Sequence, residues 1–347
     1  MNYARLHILA AIACCVVVAT TGVAVADEAD DDAPADMDGL TGGNAPWQLD
    51  FDDAMLDGRQ AYNDEQWTTA IDHFRRAVQL LPEQPAAHRN LARAYNLDGQ
   101  LHRATAYYDA YLELAPDADD ADDIRNERRG AVARGGDESW TIPADQRMAL
   151  RALERELDDG RALTDGGGGA WAMYQTLLDL GYARPDLREF RSQLDAKLVA
   201  EFEALLTADQ GLLPVIDRRD WSLQQQRLNA IETTTRSDDR LHWIERRQLI
   251  VDAAKDLLDG DYQSAATAAD DAAQANDDLA YIGWYRVVAL DADDRPDDAL
   301  QALETLVDGA DFDDEARRQI DVFYARLLQR LGRTDDAAEL FEELLLR

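Results

Sequence analysis

Eight positions between residues 58 and 82 return 34 positions later, with small and large side chains mostly recurring in place. Gly58, Tyr62, Trp67, Ala70, Phe74, Ala77, Leu80 and Pro82 are followed by Ala92, Asn96, Leu101, Ala104, Tyr108, Tyr111, Leu114 and Pro116. Within each unit the apolar residues fall three and four apart, the period of an amphipathic helix. Ala70 and Ala104 are small where two helices would cross, because a larger side chain would push the backbones apart. Phe74 and Tyr108 would fill the space between helices, each burial contributing roughly 1.5 to 3 kcal/mol. Pro82 and Pro116 end the second helix of each unit, since proline lacks an amide proton and clashes with the preceding turn.

These residues, across 51–116, resemble the tetratricopeptide repeat, a helix-turn-helix unit of 34 residues. The match lies at the Gly, Ala, aromatic and Pro positions. It departs earlier in the unit, where the family's usual Trp is Ala54 and then His88, and its usual Tyr is Ala61 before being restored as Tyr95. After Pro116, DADDADDIRNERRGAVAR reads as an acid-started helix with a polar outer face, suited to covering the last repeat of a stack. The pattern returns in weaker form around Tyr262 and Ala265, Ala299 and Leu303, and Ala337 and Phe341. Ala265 to Ala299 spans 34 positions and Ala299 to Ala337 spans 38, with a longer loop around Gly309 to Asp313 to absorb the difference. Between them, residues 147–163, 170–180, 185–206 and 222–232 read as helices, and Asp220-Trp221 is similar to the turn of an eroded repeat. No run of alternating β-branched residues appears. The expected fold class is all-α, a solenoid of helical hairpins. Its parts are an N-terminal repeat domain with a capping helix over 47–134, degenerate hairpins over 140–240, and C-terminal repeats over 241–347.

Ahead of the repeats, residues 1–26 combine Arg5, an apolar run from Ile8 to Ala19, and small residues at Ala24 and Ala26, the pattern of a removable secretory signal. Thr20, Thr21 and Gly22 interrupt the run, which weighs against a permanent membrane span. The expected location is therefore periplasmic or secreted, with lipid attachment through Cys14 as the secondary reading. Both cysteines, Cys14 and Cys15, lie inside this segment, so a cleaved product contains none and packing must supply its stability. Residues 27–46, rich in Asp, Ala and Gly and without a basic residue, read as a solvated acidic linker. A net charge of -35 repels nucleic acid and anionic membranes, so neither is an expected partner. Only Lys197 and Lys255 are lysines, which fits a salty environment or a genome that favours arginine.

No catalytic or cofactor signature accompanies the repeats. His7, His73, His88, His102 and His242 show no paired ligand spacing, and His73, His88 and His102 fall at three repeat phases, so surface or groove positions are expected of them and no metal site is assigned. Acid pairs such as Asp119/Asp120 and Asp335/Asp336 are explained by the favourable field at helix starts. The Asp27 to Asp32 run lacks calcium-loop spacing. Gly166 to Gly169 lack the lysine and the preceding strand of a phosphate loop and read as a flexible connection. The expectation is a non-catalytic protein without a cofactor.

The family resemblance implies a function. In the family, the first helix of each repeat lines a groove that holds an extended peptide or a partner helix. Carried onto this chain, the groove positions are Met55, Arg59 and Tyr62, then Arg89, Asn90, Arg93 and Asn96. Guanidinium groups grip carboxylates through two parallel hydrogen bonds, and Asn90 can satisfy a peptide backbone. Expected partners are proteins or peptides with acidic groups or a free C-terminal carboxylate. The alternative for the arginines is pairing with neighbouring acids of the stack. Two other readings of the whole chain stay open: a helical accessory or catalytic subunit of a cell-envelope-processing enzyme, and a homo-oligomeric spacer that self-associates through Leu344, Leu345 and Leu346.

Overall fold

Pro46 and Pro85 each occupy the first turn of a helix, where a missing amide proton costs nothing and a fixed φ already suits the helix. The computed structural model describes residues 45–136, 142–206, 218–276, 282–309, 312 and 314–346. The expected signal segment with Cys14, nearly all of the expected acidic linker, and parts of the loop after Gly309 lie outside these residues. Fifteen helices and no strand occur among the described residues. The first five are α1 (Pro46–Asn63), α2 (Trp67–Leu80), α3 (Pro85–Leu97), α4 (Leu101–Leu114) and α5 (Ala121–Ala133). Then come α6 (Ala144–Asp158), α7 (Ala170–Asp179), α8 (Leu187–Leu206) and α9 (Arg218–Thr234). The rest are α10 (Asp238–Asp259), α11 (Tyr262–Ala275), α12 (Ile282–Ala292), α13 (Pro296–Gly309), α14 (Asp314–Arg330) and α15 (Thr334–Leu346). Sequence neighbours pack as antiparallel hairpins, which makes the chain an all-α solenoid.

The repeat positions do what their sizes require. Ala70, Ala92 and Ala104 are wholly buried at helix crossings, and Phe74 and Tyr108 lie in the same kind of interior one unit apart. Gly58 sits against Phe74 so closely that a Cβ would stand 2.6 Å from the ring, inside any real carbon–carbon contact. The next unit has Ala92 at the position of Gly58 and Tyr108 at that of Phe74, and both are wholly buried. Helix α2 ends at Leu80 and α4 at Leu114, each two residues before the proline that stops it.

The C-terminal hairpins follow the same rule with different punctuation. Ser237 accepts from the Arg240 amide to start α10, and Gly260 ends it in the left-handed conformation at φ 78°. Ala265, Ala299 and Ala337 are buried where α11, α13 and α15 cross their partners, and Trp284 meets Phe323 edge-on at 4.9 Å. On α15, Phe341 is partly exposed and Leu345 is 87% exposed.

The middle of the chain does more than connect. A core containing Ala149, Leu177, Leu198, Phe202, Trp221 and Ile250 continues to Tyr285 and joins α6–α9 to α10–α12. Trp221 is a correction to the sequence expectation: it lies within α9, buried and edge-on to Tyr285 at 6.2 Å, and forms no turn. An indole of that size contributes more inside a core than at an exposed bend. Gly166 to Gly169 do break α6 from α7, through a tight turn closed by a single bridge between Thr164 and Gly168.

Helices α7 and α8 then return to the N-terminal hairpins. Gln79 Nε2 donates to the Leu178 carbonyl at 2.8 Å and to the Tyr182 carbonyl at 3.2 Å. Arg191 Nη1 donates to the Leu80 carbonyl at 2.7 Å, and Arg236 Nε to the same oxygen at 3.0 Å, while the Arg236 guanidinium lies over the Trp47 ring. Two cations thus meet the carbonyl end of α2, where the helix field is negative. Burial, reinforced by the neighbouring Arg191, lowers the Arg236 pKa to about 10. No helix among the described residues is long and apolar enough to cross a membrane.

Candidate interaction surface

Helices α1, α3 and α5 each open a repeat phase and so present equivalent positions. Arg59, Arg93 and Glu127 occupy one such position, 34 residues apart. Arg93 grips Glu127 with two nitrogens: Nε donates at 3.1 and 3.2 Å, and Nη2 at 2.7 Å. Four residues earlier on α3, Arg89 Nη1 donates to Asp120 Oδ2 at 2.6 Å, and the Tyr111 hydroxyl donates to the other oxygen of the same carboxylate. At the far end of α3, the Arg134 guanidinium donates to Asn96 Oδ1. The result is a ladder of polar contacts running from α3 to the segment around α5.

The electrostatics follow from these contacts. Burial pushes the Asp120 carboxyl up, but hydrogen bonds from Tyr111 and Arg89 outweigh it and hold the group below the usual carboxylate range. Burial and the bond to Asp120 raise the Tyr111 phenol to about 12. Burial likewise disfavours the charged form of Arg93, yet the Glu127 carboxylate more than compensates and keeps the guanidinium charged. Burial raises the Tyr62 phenol, offset in part by the charge of Arg93.

The seven residues named from the sequence have different surroundings. Met55 and Asn90 are buried. Arg89, Arg93 and Asn96 are engaged as described, by partners from residues 120–134. Tyr62 is half-buried and packs edge-on against Trp67 at 5.2 Å. Arg59 is half-buried and makes no ion pair among the described residues. What the sequence reading missed is the role of Asp120 and Glu127, taken there for part of a polar outer cover. Glu127 follows Arg93 by one repeat length, and that offset was the available signal.

His88 is a second correction, since a surface or groove place was expected and its exposure is 0%. It stands where the family's Trp would, and its ring stacks on Tyr107 at 6.1 Å while Nε2 meets the Pro82 carbonyl at 2.8 Å. Burial, first among the causes, lowers its pKa to about 4, so the ring is neutral at pH 7. No group of three metal-capable side chains occurs among the described residues.

No family model matches the sequence, and no curated protein matches it. Among solved structures the chain is similar to a tetratricopeptide repeat protein from Parabacteroides merdae ATCC 43184, at 12% identity and a TM-score of 0.27, covering 85% of this chain and 92% of that one. It is also similar to the TPR domain of P58(IPK), at 12% identity and a TM-score of 0.28, with the same coverages. Likeness at this level carries no assignment of partner or activity, and the hairpin architecture rests on the packing described above.

Proposed function

We propose that the chain is an exported, non-catalytic scaffold that binds protein or peptide partners along the first-helix surface of α1, α3 and α5. The observation that carries this reading is Arg59. It holds the same repeat position as Arg93 and Glu127, yet it alone lacks a partner of opposite charge among the described residues. A carboxylate supplied by the partner would extend the ladder by one rung, with Tyr62 and Trp67 as the adjoining apolar contact. Arg89 and Arg93 then position α5 against α3, so a carboxylate-bearing partner meets Arg59 first. Export rests on residues 1–26 and places the protein in the periplasm or outside the cell.

The test is an array of acidic and neutral peptides, with free and amidated C-termini, probed with the full chain. Binding to acidic peptides that falls at least tenfold in Arg59→Ala, with the helical signal unchanged in circular dichroism, supports the surface. Equal binding by the variant discards it. A second reading, self-association, draws on Phe341 and Leu345 at the open side of α15. Light scattering that gives the same mass for the full chain and for Leu345→Glu would remove it.

A further inference from the structure

A separate set of cations gathers on the opposite helices of the first two hairpins. Where α2, α3 and α4 meet Pro143 and the turn at 180–184, a cavity of about 230 Å³ opens. Among the described residues eleven line it, three of them arginines, Arg75, Arg103 and Arg184, and none an acid. That selection runs against the composition, since the chain carries 70 acidic residues and 35 basic ones. The arginines come from three separate stretches of chain, so sequence adjacency does not explain their meeting.

The Arg103 and Arg75 guanidiniums are held in place by aromatic and backbone groups. Arg103 lies over the Tyr95 ring, 5.5 Å from its centroid, and makes no ion pair among the described residues. Tyr95 stacks on Tyr107 at 5.5 Å and 15°, and Tyr107 stacks on His88, so a column of flat groups supports the cation from below. Arg75 Nη2 donates to the Tyr95 hydroxyl at 3.5 Å, and its nearby acid is Asp72 at 3.2 Å, one turn away on a largely solvated side chain. Such a pair is weak and leaves the guanidinium able to bind elsewhere. Across the cavity, Gly181 adopts φ 76°, and a Cβ there would come 3.3 Å from Arg75 Cδ. The turn thus packs its backbone against the arginine, and Gln146 Nε2 holds that turn by donating to the Leu180 carbonyl at 2.7 Å.

We propose that this cleft binds a small polyanion, an organic di- or tricarboxylate or a phosphate monoester, with Arg75 and Arg103 as direct ligands of its oxygens and Arg184 adding charge from the turn. Arg75 and Arg103 face one cavity with no acid among its described lining residues, and an anion of two or more charges would neutralise both while accepting planar, paired hydrogen bonds. The size sets the scale of the ligand, because the cavity is smaller than the roughly 300–1,000 Å³ of sites for drug-sized molecules. Tyr95, Tyr107 and Gln146 add polar groups that would orient it. The cleft takes its arginines from α2, α4 and the 180–184 turn and meets α3 at Tyr95, so it shares no residue with Arg59, Arg89 and Arg93 of the first-helix surface.

Isothermal titration calorimetry on the full chain at low ionic strength tests this, with citrate and inorganic phosphate as separate probes and glycerol as the neutral control. Saturable one-to-one binding of citrate assigns a polycarboxylate, of phosphate a phosphoryl group, and of both the shared oxyanion chemistry; binding should weaken as chloride rises. Arg103→Gln and Arg75→Gln should each lower the affinity at least tenfold with an unchanged circular dichroism spectrum, while Arg59→Ala keeps it. No saturable binding of either probe, or an affinity in both arginine variants unchanged from the natural chain, overturns the proposal. Because Arg59→Ala reads out the peptide surface and Arg103→Gln the cleft, failure of one leaves the other standing.

Discussion

Arg191 on α8 donates to the carbonyl oxygen of Leu80, the last residue of α2, across 111 positions of sequence. Arg191 is 5% exposed, and its guanidinium also faces Glu83 at 3.4 Å. Replacing it with Met leaves the α2 terminus with Arg236 alone and strands a carboxylate nearby. Arg191→Met should lower unfolding stability by about 2–3 kcal/mol, the range for a buried charge-assisted bond. Urea denaturation checks the value, and hydrogen exchange should show faster opening at the end of α2.

Gly58 lies directly against the Phe74 ring. An added methyl at 2.6 Å from the Phe74 ring must displace it, and the overpacking should outweigh the better helix propensity of alanine by about 1–3 kcal/mol. Gly58→Ala combined with Phe74→Leu should cost less than the sum of the two single changes. Strict additivity in that cycle would mean that the two residues do not share a cavity.

Arg93 and Glu127 are each about one-quarter to one-third exposed, so solvent and salt discount their pair. A double-mutant cycle with Arg93→Ala and Glu127→Ala should give a coupling of about 1 kcal/mol that shrinks in 1 M salt. Its absence would show that α5 is held by its other contacts, the Arg89–Asp120 and Arg128–Asp109 pairs and the apolar Ala121, Ile124 and Ala131 among them.

His88 makes stability depend on pH with a definite sign. The folded-state pKa is about 4, below the ordinary value of 6.5, so the unfolded chain binds the proton more readily. Nothing is lost above pH 6.5; stability falls as pH drops from 6.5 toward 4, and below that the loss levels off at about 3 kcal/mol. Denaturation midpoints measured between pH 7 and 5 should fall in the natural chain and stay flatter in His88→Gln, a window mostly above the titration of ordinary carboxylates.

Much of the local architecture was legible because it is periodic. Ala70 with Ala104, and Phe74 with Tyr108, recur at one interval, and the interval itself encodes two helices and a stop. The middle helices were placed within a few residues for the same reason, since apolar spacing marks a helix whatever it packs against. What lacked a signal was contact between distant, unrepeated positions. Nothing in the neighbourhood of Arg191 or Arg236 names Leu80, and nothing around Arg184 names Arg75 and Arg103. His88 was misplaced because an imidazole is weighed as polar, whereas here it fills an aromatic slot. In the surface row, Arg59 and Arg93 look alike in sequence and differ only in what the following helix supplies.

The bonds that bring α7, α8 and Arg236 back to the end of α2 divide the chain into parts with different freedom to evolve. A duplicated hairpin among α10 to α13 would touch only its immediate neighbours and could be gained or lost as a module. An insertion between Leu80 and Arg191 would instead have to preserve a closed loop of more than a hundred residues, so the number of units in that half is locked while the other half can drift in length.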